Sequence, residues 1–256
     1  MNTEGLYDWF SFYYDALYSR LLDYEGDVNF VLRVVRKYLD LSPGAVLDVG
    51  CGTGSHLLQF ARCGLQIFGV DNSIVALESA RLKLSAEGRL LLQDMTVLDT
   101  GFEIDLAISM LSSLGYLLDQ SELQQTLARI RAVIPAFGGL VIELWQEGVL
   151  QPNTEALITV PFGDHQLTRR SLFLPSPRNE ARIVFEFLEH AGENVIRGPV
   201  AEEHTIRLFS RTEITTLISE AGFEIVTLIS GGAFQQFARE DRDLTANDLR
   251  AIVIAR

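Results

Sequence analysis

Val46-Leu47-Asp48-Val49-Gly50-Cys51-Gly52-Thr53-Gly54 is the stretch on which the reading of this chain turns. An apolar run, Ala45 to Leu47, breaks into three alternating glycines and then into Ser55. The spacing predicts a β-strand that turns sharply and feeds a helix. Glycine lacks a Cβ and tolerates positive φ, so bare backbone can approach whatever lies in the turn. The first-turn N–H groups of the helix are free, and its dipole favours negative charge there.

Two ligand geometries use such a turn. A dinucleotide site reads G-x-G-x-x-G, seats a pyrophosphate on the helix start and places an acidic residue about 20 positions later for the ribose. This chain reads D-x-G-x-G-x-G instead. Asp48 sits badly beside a pyrophosphate and suits a ligand that carries an ammonium and a sulfonium. Asp71, after Gln66-Ile67-Phe68-Gly69-Val70, can accept both hydroxyls of a ribose. Arg89-Leu90-Leu91-Leu92-Gln93 is a further strand-like run, and it ends at Asp94-Met95. There a carboxylate could hold an adenine amino group while Met95 packs on the ring.

Asp48 to Gly54, Asp71 and Asp94-Met95 together resemble the S-adenosylmethionine site of class I methyltransferases. The resemblance implies an α/β fold: a doubly wound, seven-stranded, mostly parallel sheet of Rossmann-like type. It implies S-adenosylmethionine as cofactor, held by Asp48, Gly50, Gly52, Gly54, Asp71, Asn72, Asp94, Met95 and Met110, with Tyr14 and Tyr24 joining from the N-terminal segment. No metal is implied.

Hydrophobic periodicity agrees with alternating helices and strands. Helices are expected over Asp27 to Leu41, Ser55 to Cys63, Ser73 to Ala86, Gln120 to Ile134 and Arg211 to Ala221. Strands are expected over Gln66 to Val70, Arg89 to Gln93, Ile104 to Met110, Gly139 to Trp145, Glu224 to Ser230 and Arg250 to Ala255, the last two as a hairpin-like edge. From about Thr154 to Phe209 short alternating runs such as Arg182-Ile183-Val184-Phe185-Glu186-Phe187-Leu188, broken by Pro175, Pro177, Gly192 and Gly198, predict an antiparallel β-rich insertion. The expected organisation is a cofactor-binding core over residues 1–150 and 210–256, its first 42 residues a helical lid, with the insertion at 151–209 on the substrate side or at a dimer contact.

Both ends of the chain narrow the resemblance. Tyr13-Tyr14-Asp15-Ala16-Leu17-Tyr18 and Asp23-Tyr24 resemble the lid segment of small-molecule members, including nucleotide-amino-sugar N-methyltransferases and glycine N-methyltransferase-like enzymes. Ser109 to Leu117 resembles the loop after strand four in the sugar-amine enzymes, and Glu203-His204-Thr205-Ile206-Arg207-Leu208-Phe209-Ser210 resembles their closing insertion strand. Those relatives carry a histidine in that loop near the substrate amine, where this chain has Tyr116. A tyrosine with an ordinary pKa of about 10 can orient a nucleophile but is a poor base at neutral pH. The candidates for a catalytic role are therefore Glu143, Tyr116, Tyr14 and His204, with Arg250 matching an arginine that faces substrate in the relatives.

These readings combine into methyl transfer to the nitrogen, or oxygen, of a small metabolite. The alternative is a cofactor-binding regulator or partner subunit without turnover. A net charge of −13 argues against a nucleic-acid partner, since such proteins show basic patches. Two cysteines, Cys51 and Cys63, form neither a disulfide framework nor a metal set. No apolar run is long enough for a membrane span, Met1 to Gly5 opens no signal peptide, and cytoplasmic residence is the default. A homodimer is possible. His56 is expected to cap or pack on its helix, His165 and His190 to be solvated, and Glu202-Glu203 to form a solvated face. Trp145 lines the pocket or covers the sheet end. Arg239 to Asp243 reads as an exposed loop.

Overall fold

A computed structural model of the chain describes residues 8–84, 88–231 and 242–256. Met1 to Gly5 and Arg239 to Asp241, on which two of the expectations rest, lie outside them. Two helices open the chain, α1 (Asp8–Leu21) and α2 (Tyr24–Leu39). Then follow β1 (Ala45–Val49), α3 (Ser55–Arg62), β2 (Gln66–Asp71), α4 (Ile74–Leu84), β3 (Gly88–Leu92), β4 (Leu106–Ser109), α5 (Gln120–Val133) and β5 (Gly139–Trp145). Four further strands, β6 (Glu155–Phe162), β7 (His165–Leu174), β8 (Glu180–Ala191) and β9 (Asn194–Arg207), precede α6 (Arg211–Glu220), β10 (Ile225–Ser230) and β11 (Arg250–Ala255).

The seven strands of the first sheet run in the order β10-β11-β5-β4-β1-β2-β3, and β6 to β9 form a separate four-stranded sheet. From β5 to β3 neighbours are parallel; β11 is antiparallel both to β5 and to β10. The last strand is thus not an edge. It enters between β5 and β10, because Arg250 to Ala255 is buried throughout and so needs neighbours on both sides.

Apolar residues on the two sides of the sheet make two cores. One joins Leu47, Val49, Ala107, Ile142 and Val253 to α5 and α6; the other joins Val46, Ile67, Ile108, Val141 and Ile252 to α2, α3 and α4. A third core packs Tyr13, Leu17 and Tyr18 of α1 against Val160, Leu167, Phe185 and Phe187 of the four-stranded sheet. That sheet is an antiparallel meander whose strands alternate buried and exposed residues, as β8 shows clearly.

Caps set several boundaries that periodicity misses. Helix α2 begins before Asp27 because the Asp23 carboxylate accepts from the Gly26 N–H, and it closes at Asp40, in the left-handed region at φ +52°, with its N–H on the Val35 carbonyl. Asp119 and Ser210 cap α5 and α6 in the same manner. Strand β4 is shorter than Ile104 to Met110: Ile104 donates to the Val133 carbonyl and Met110 accepts from Ser113, so both belong to turns.

Candidate active site

The glycine turn leaves β1 with Gly50, Gly52 and Gly54 all at positive φ, +79°, +52° and +75°. Gly50 and Cys51 both donate to the Val70 carbonyl of β2, at 2.8 and 3.1 Å, which locks the turn to the neighbouring strand. Each glycine answers a different demand. A Cβ on Gly50 would meet Ser113 Cβ at 2.6 Å, and one on Gly54 would meet Ala80 Cβ at 3.1 Å. A Cβ on Gly52 would meet nothing within 4 Å. Two glycines let protein pack on the turn, and the middle one leaves its open side for a ligand.

Asp71 stands at the end of β2 beside that open side. Its Oδ2 accepts from the Gly52 N–H at 2.8 Å and its Oδ1 from the Ser73 N–H at 2.9 Å. A carboxylate offers about four acceptor positions, and with backbone donors from Gly52, Asn72 and Ser73 capacity remains for a ribose hydroxyl. Burial pushes the Asp71 carboxyl above the usual carboxylate range, and the backbone donors pull against that shift. Asn72 follows it, exposed. Asp94, at the end of the next strand, caps a short 3-10 turn by accepting from Thr96 N and Oγ1 at 2.8 and 2.7 Å. Met95 is half-buried, with its Cε 3.7 Å from where a Gly50 Cβ would stand. Met110 is buried after β4.

Beneath the turn lies a buried charged layer. Asp48 is 2% exposed, and His56 Nε2 stands 3.5 Å from Asp27 Oδ2 with its ring edge-on to Tyr24. The imidazole does not merely pack on its helix, as expected from sequence. Its pKa is raised: burial lowers it, but the bond to Asp27 and the charge of Asp48 outweigh that. Burial is the largest influence on Asp48, with the Asp71 charge adding to it and His56 opposing it, and its carboxyl is pushed up to about 6.

Glu143 and Arg250 complete this layer. They face each other across β5 and β11, Arg250 Nη1 3.2 Å from Glu143 Oε1, both 1% exposed. Glu143 is in the body of its strand, flanked by β4 and β11. The pair reads as a structural and electrostatic support.

A clip that the sequence did not reveal ties α1 to the turn. Asp15 Oδ1 accepts from Thr53 Oγ1 at 2.7 Å and Lys83 Nζ at 2.8 Å, and Lys83 also donates to Ser55 Oγ at 2.8 Å. Asp15 lies inside the Y-D-x-x-Y segment, but its partners are 38 and 68 positions away. The same helix brings Tyr14 and Tyr18 together, rings stacked at 4.3 Å. Tyr14 also neighbours Tyr24 and Tyr116, and burial first, then these rings, raise its pKa well above 10. Tyr24 is raised likewise, chiefly by burial.

On the far side of this aromatic group, Tyr116 Oη lies 3.0 Å from His204 Nδ1. His204 is fully buried on β9, edge-on to Phe185, with its Nε2 3.6 Å from Glu202 Oε2. Glu202 and Glu203 therefore do not share a solvated face: strand alternation buries Glu202 toward His204 and leaves Glu203 outside against Arg182. His190 is likewise engaged, to Thr168 Oγ1 at 2.9 Å and the Gly192 carbonyl at 3.0 Å, and His165 Nδ1 is buried. Trp145 is buried in the third core beside Tyr13 and Tyr18. Of the charge run, Arg242 pairs with Asp248 and Asp243 bridges to Ile229.

The arrangement defines a class of protein: an α/β ligand binder whose glycine turn and acidic strand ends leave room for a cationic adenosyl ligand, roofed by an aromatic helix. Residues 46–138 match the profile of the methyltransferase domain family. The chain is 30% identical over 213 residues to the dTDP-3-amino-3,6-dideoxy-alpha-D-glucopyranose N,N-dimethyltransferase of Streptomyces fradiae, covering 82% of this chain and 81% of that protein. It is 27% identical over 219 residues to the dTDP-3-amino-3,4,6-trideoxy-alpha-D-glucopyranose N,N-dimethyltransferase of Streptomyces venezuelae, 85% of this chain and 91% of that one. A putative methyltransferase of Geobacillus is 29% identical over 163 residues, and the chain spans 66% of its length. The crystal structure of Streptomyces venezuelae DesVI superposes with a TM-score of 0.79 at 23% identity, covering 100% of this chain and 98% of that one, a likeness of fold. The chain belongs to the class I S-adenosylmethionine-dependent methyltransferases. It is an enzyme, and S-adenosylmethionine is its cofactor.

The free side of Gly52 and the acceptor capacity of Asp71 fit the turn and ribose of that cofactor, and the net negative layer around Asp48 fits its ammonium and sulfonium. The titration of Asp48 gives a pH test. A cationic ligand favours the charged carboxylate, so affinity is full above about pH 6 and falls as the pH drops through it, by up to about tenfold per unit. Calorimetry with S-adenosylmethionine at pH 7.5, 6 and 5 reads this directly. An affinity flat across that range contradicts a role for the Asp48 charge.

Among the described residues, no helix is long and apolar enough to cross a membrane, and no group of three or more His, Cys, Asp or Glu is placed to hold a metal.

Proposed function

We propose that the enzyme methylates the amine of a small metabolite of the amino-sugar kind, with Tyr116 and His204 as its proton acceptor. The observation that carries this is the 3.0 Å contact between Tyr116 Oη and His204 Nδ1 beside the tyrosines of α1. The family loop position for a histidine holds a tyrosine here, and a histidine from β9 stands behind it. The two Streptomyces relatives are N,N-dimethyltransferases named for dTDP-3-amino sugars, which supports nitrogen over oxygen.

Asp71 and Asp94 are assigned to the ribose and adenine, Met95 to the adenine face, and Gly52 and Tyr14 to the methionine end. When bound, S-adenosylmethionine supplies a methyl group on a positively charged sulfur, already a strong electrophile. The protein then needs alignment, exclusion of water and a destination for one proton. The buried rings of Tyr14, Tyr18 and Tyr24 exclude water. As the acceptor nitrogen gains carbon it becomes cationic and loses a proton to Tyr116 Oη, whose own hydroxyl proton passes to His204 Nδ1. Glu202 then stands opposite the imidazolium at Nε2. A tyrosine alone is a poor base, and the imidazole nitrogen within hydrogen-bond reach of its hydroxyl gives the proton a destination.

General-base assistance contributes about 10²–10⁴-fold. His204→Gln and Tyr116→Phe are each expected to lower kcat by about 10² or more in S-adenosylhomocysteine release with a dTDP-3-amino sugar. The double variant is expected to be no slower than the worse single one, because the two act as one relay. Additive losses, or full activity in His204→Gln, contradict the relay.

A further inference from the structure

The loop after β4 follows an unfavourable backbone path. Leu111 and Ser112, adjacent in the chain, both lie in the left-handed region, at φ +54° and +60°. A Cβ is disfavoured there, and neither residue has the tolerance of glycine or asparagine. Such outliers persist only where the surroundings hold them, and they gather at functional sites. Ser112 is fully buried, and its Oγ accepts from the Trp145 N–H at 3.2 Å. Strand β4 pairs with β5 only as far as Ser109 opposite Ile142, so the serine hydroxyl stands in for a strand partner at the end of β5.

The carbonyl of Trp145 accepts in turn from the Phe209 N–H at 2.8 Å, just beyond β9. One residue of β5 thereby holds both segments of the proposed proton path, since Ser112 is four positions before Tyr116 and Phe209 five after His204. Gly115 lets those segments close on each other. Its N–H donates to the Ser112 carbonyl at 2.8 Å, and a Cβ there would meet Ile206 Cγ2 at 2.7 Å, Ser112 Oγ at 2.9 Å and the Arg207 carbonyl at 3.1 Å. On the cofactor side, Ser113 Oγ donates to the Met110 carbonyl at 2.9 Å and reaches the Gly50 carbonyl at 3.4 Å. The loop is thus fixed against the cofactor turn at Ser113 and against β5 at Ser112.

We propose, resting on the proton relay above, that Ser112 is a positioning residue for methyl transfer. Its hydroxyl, clamped on Trp145, holds the short 3-10 turn Ser113–Tyr116 where the Tyr116 hydroxyl stands 3.0 Å from His204 Nδ1. Ser112 itself takes no proton and acts through Tyr116. Without the hydroxyl the loop relaxes toward ordinary φ and the Tyr116 contact opens. A displacement of about 1 Å at a reacting group costs up to about 10² in rate, so a modest relaxation is enough to slow the chemistry.

The test is steady-state kinetics with S-adenosylmethionine and dTDP-3-amino-3,6-dideoxyglucose on Ser112→Gly, Ser112→Ala and Tyr116→Phe, alone and combined, each with a melting curve. Ser112→Gly is the decisive variant, because glycine accepts φ +60° without strain and so offsets the lost hydrogen bond. It is expected to melt close to wild type, to keep the KM for S-adenosylmethionine and to lose at least about 10-fold in kcat. Ser112→Ala, which loses only the oxygen, is expected to show the same loss of kcat. In the Tyr116→Phe background neither substitution is expected to cost further rate, since both residues serve one step. Ser112→Gly or Ser112→Ala as fast as wild type overturns the proposal. A loss of kcat that persists undiminished in the Tyr116→Phe background does so too, because a merely structural role gives that result. Full activity in Tyr116→Phe, or no turnover by wild type, overturns the relay and this proposal with it, whereas a slow Tyr116→Phe beside a fast Ser112→Gly removes Ser112 alone and leaves the relay standing.

Discussion

Gly52→Arg is expected to abolish binding of S-adenosylmethionine and S-adenosylhomocysteine while the protein stays folded. The free protein has room for the new side chain, since a Cβ at Gly52 meets nothing within 4 Å. Its backbone cost is that of a non-glycine residue at φ +52°, about 1 kcal/mol, small beside the total stability of a domain this size. The arginine therefore fills the ligand's space rather than the protein's, and it adds a cation where the ligand is cationic. Asp71→Ala reaches the same end from the other side. It removes the acceptor of the Gly52 N–H at 2.8 Å and the assigned partner of the ribose together, and about 100-fold weaker binding is expected from losing two charge-assisted hydrogen bonds. Calorimetry with a melting curve separates the two effects. Retained binding in both variants contradicts the cofactor geometry.

Arg250→Met is expected to cost about 3–5 kcal/mol of stability, because it leaves Glu143 charged, buried and unpaired between β4 and β11. Asp27 lies in the same layer and is also influenced by the Arg250 charge, so the loss of that cation is felt by a second carboxylate. Pairing it with Glu143→Leu should restore most of the stability, since a buried ion pair replaced by apolar residues of similar volume is often neutral or better. Chemical denaturation of the single and double variants checks both values. A single variant as stable as wild type contradicts the buried-pair reading, and a double variant as unstable as the single one does so too.

The central sheet was legible in the sequence because its strands are covered on both faces and read as unbroken apolar runs. Gly139 to Trp145 and Arg250 to Ala255 match β5 and β11 residue for residue. The cofactor turn was legible for a related reason: positive φ at three alternating positions leaves glycine as its signature. What sequence could not show is pairing at a distance. His204 gained a partner once β9 set it against Tyr116, 88 positions away, and Glu143 gained one once β11 set Arg250 against it. The acidic doublet was the least legible. Glu202-Glu203 looks like a patch of surface charge, yet a strand turns successive side chains to opposite faces, burying Glu202 and exposing Glu203. Periodicity alone does not tell which member goes inside when both are charged.

Transfer to nitrogen is the central claim. The most direct measurement is release of S-adenosylhomocysteine by wild-type enzyme supplied with S-adenosylmethionine and either dTDP-3-amino-3,6-dideoxyglucose or its 3-hydroxy counterpart, with the product mass recorded. Turnover of the amine to a methylated product, with the hydroxyl compound inert, is the predicted result. Methylation of the hydroxyl compound alone, or turnover of neither, would contradict amine transfer through Tyr116 and His204.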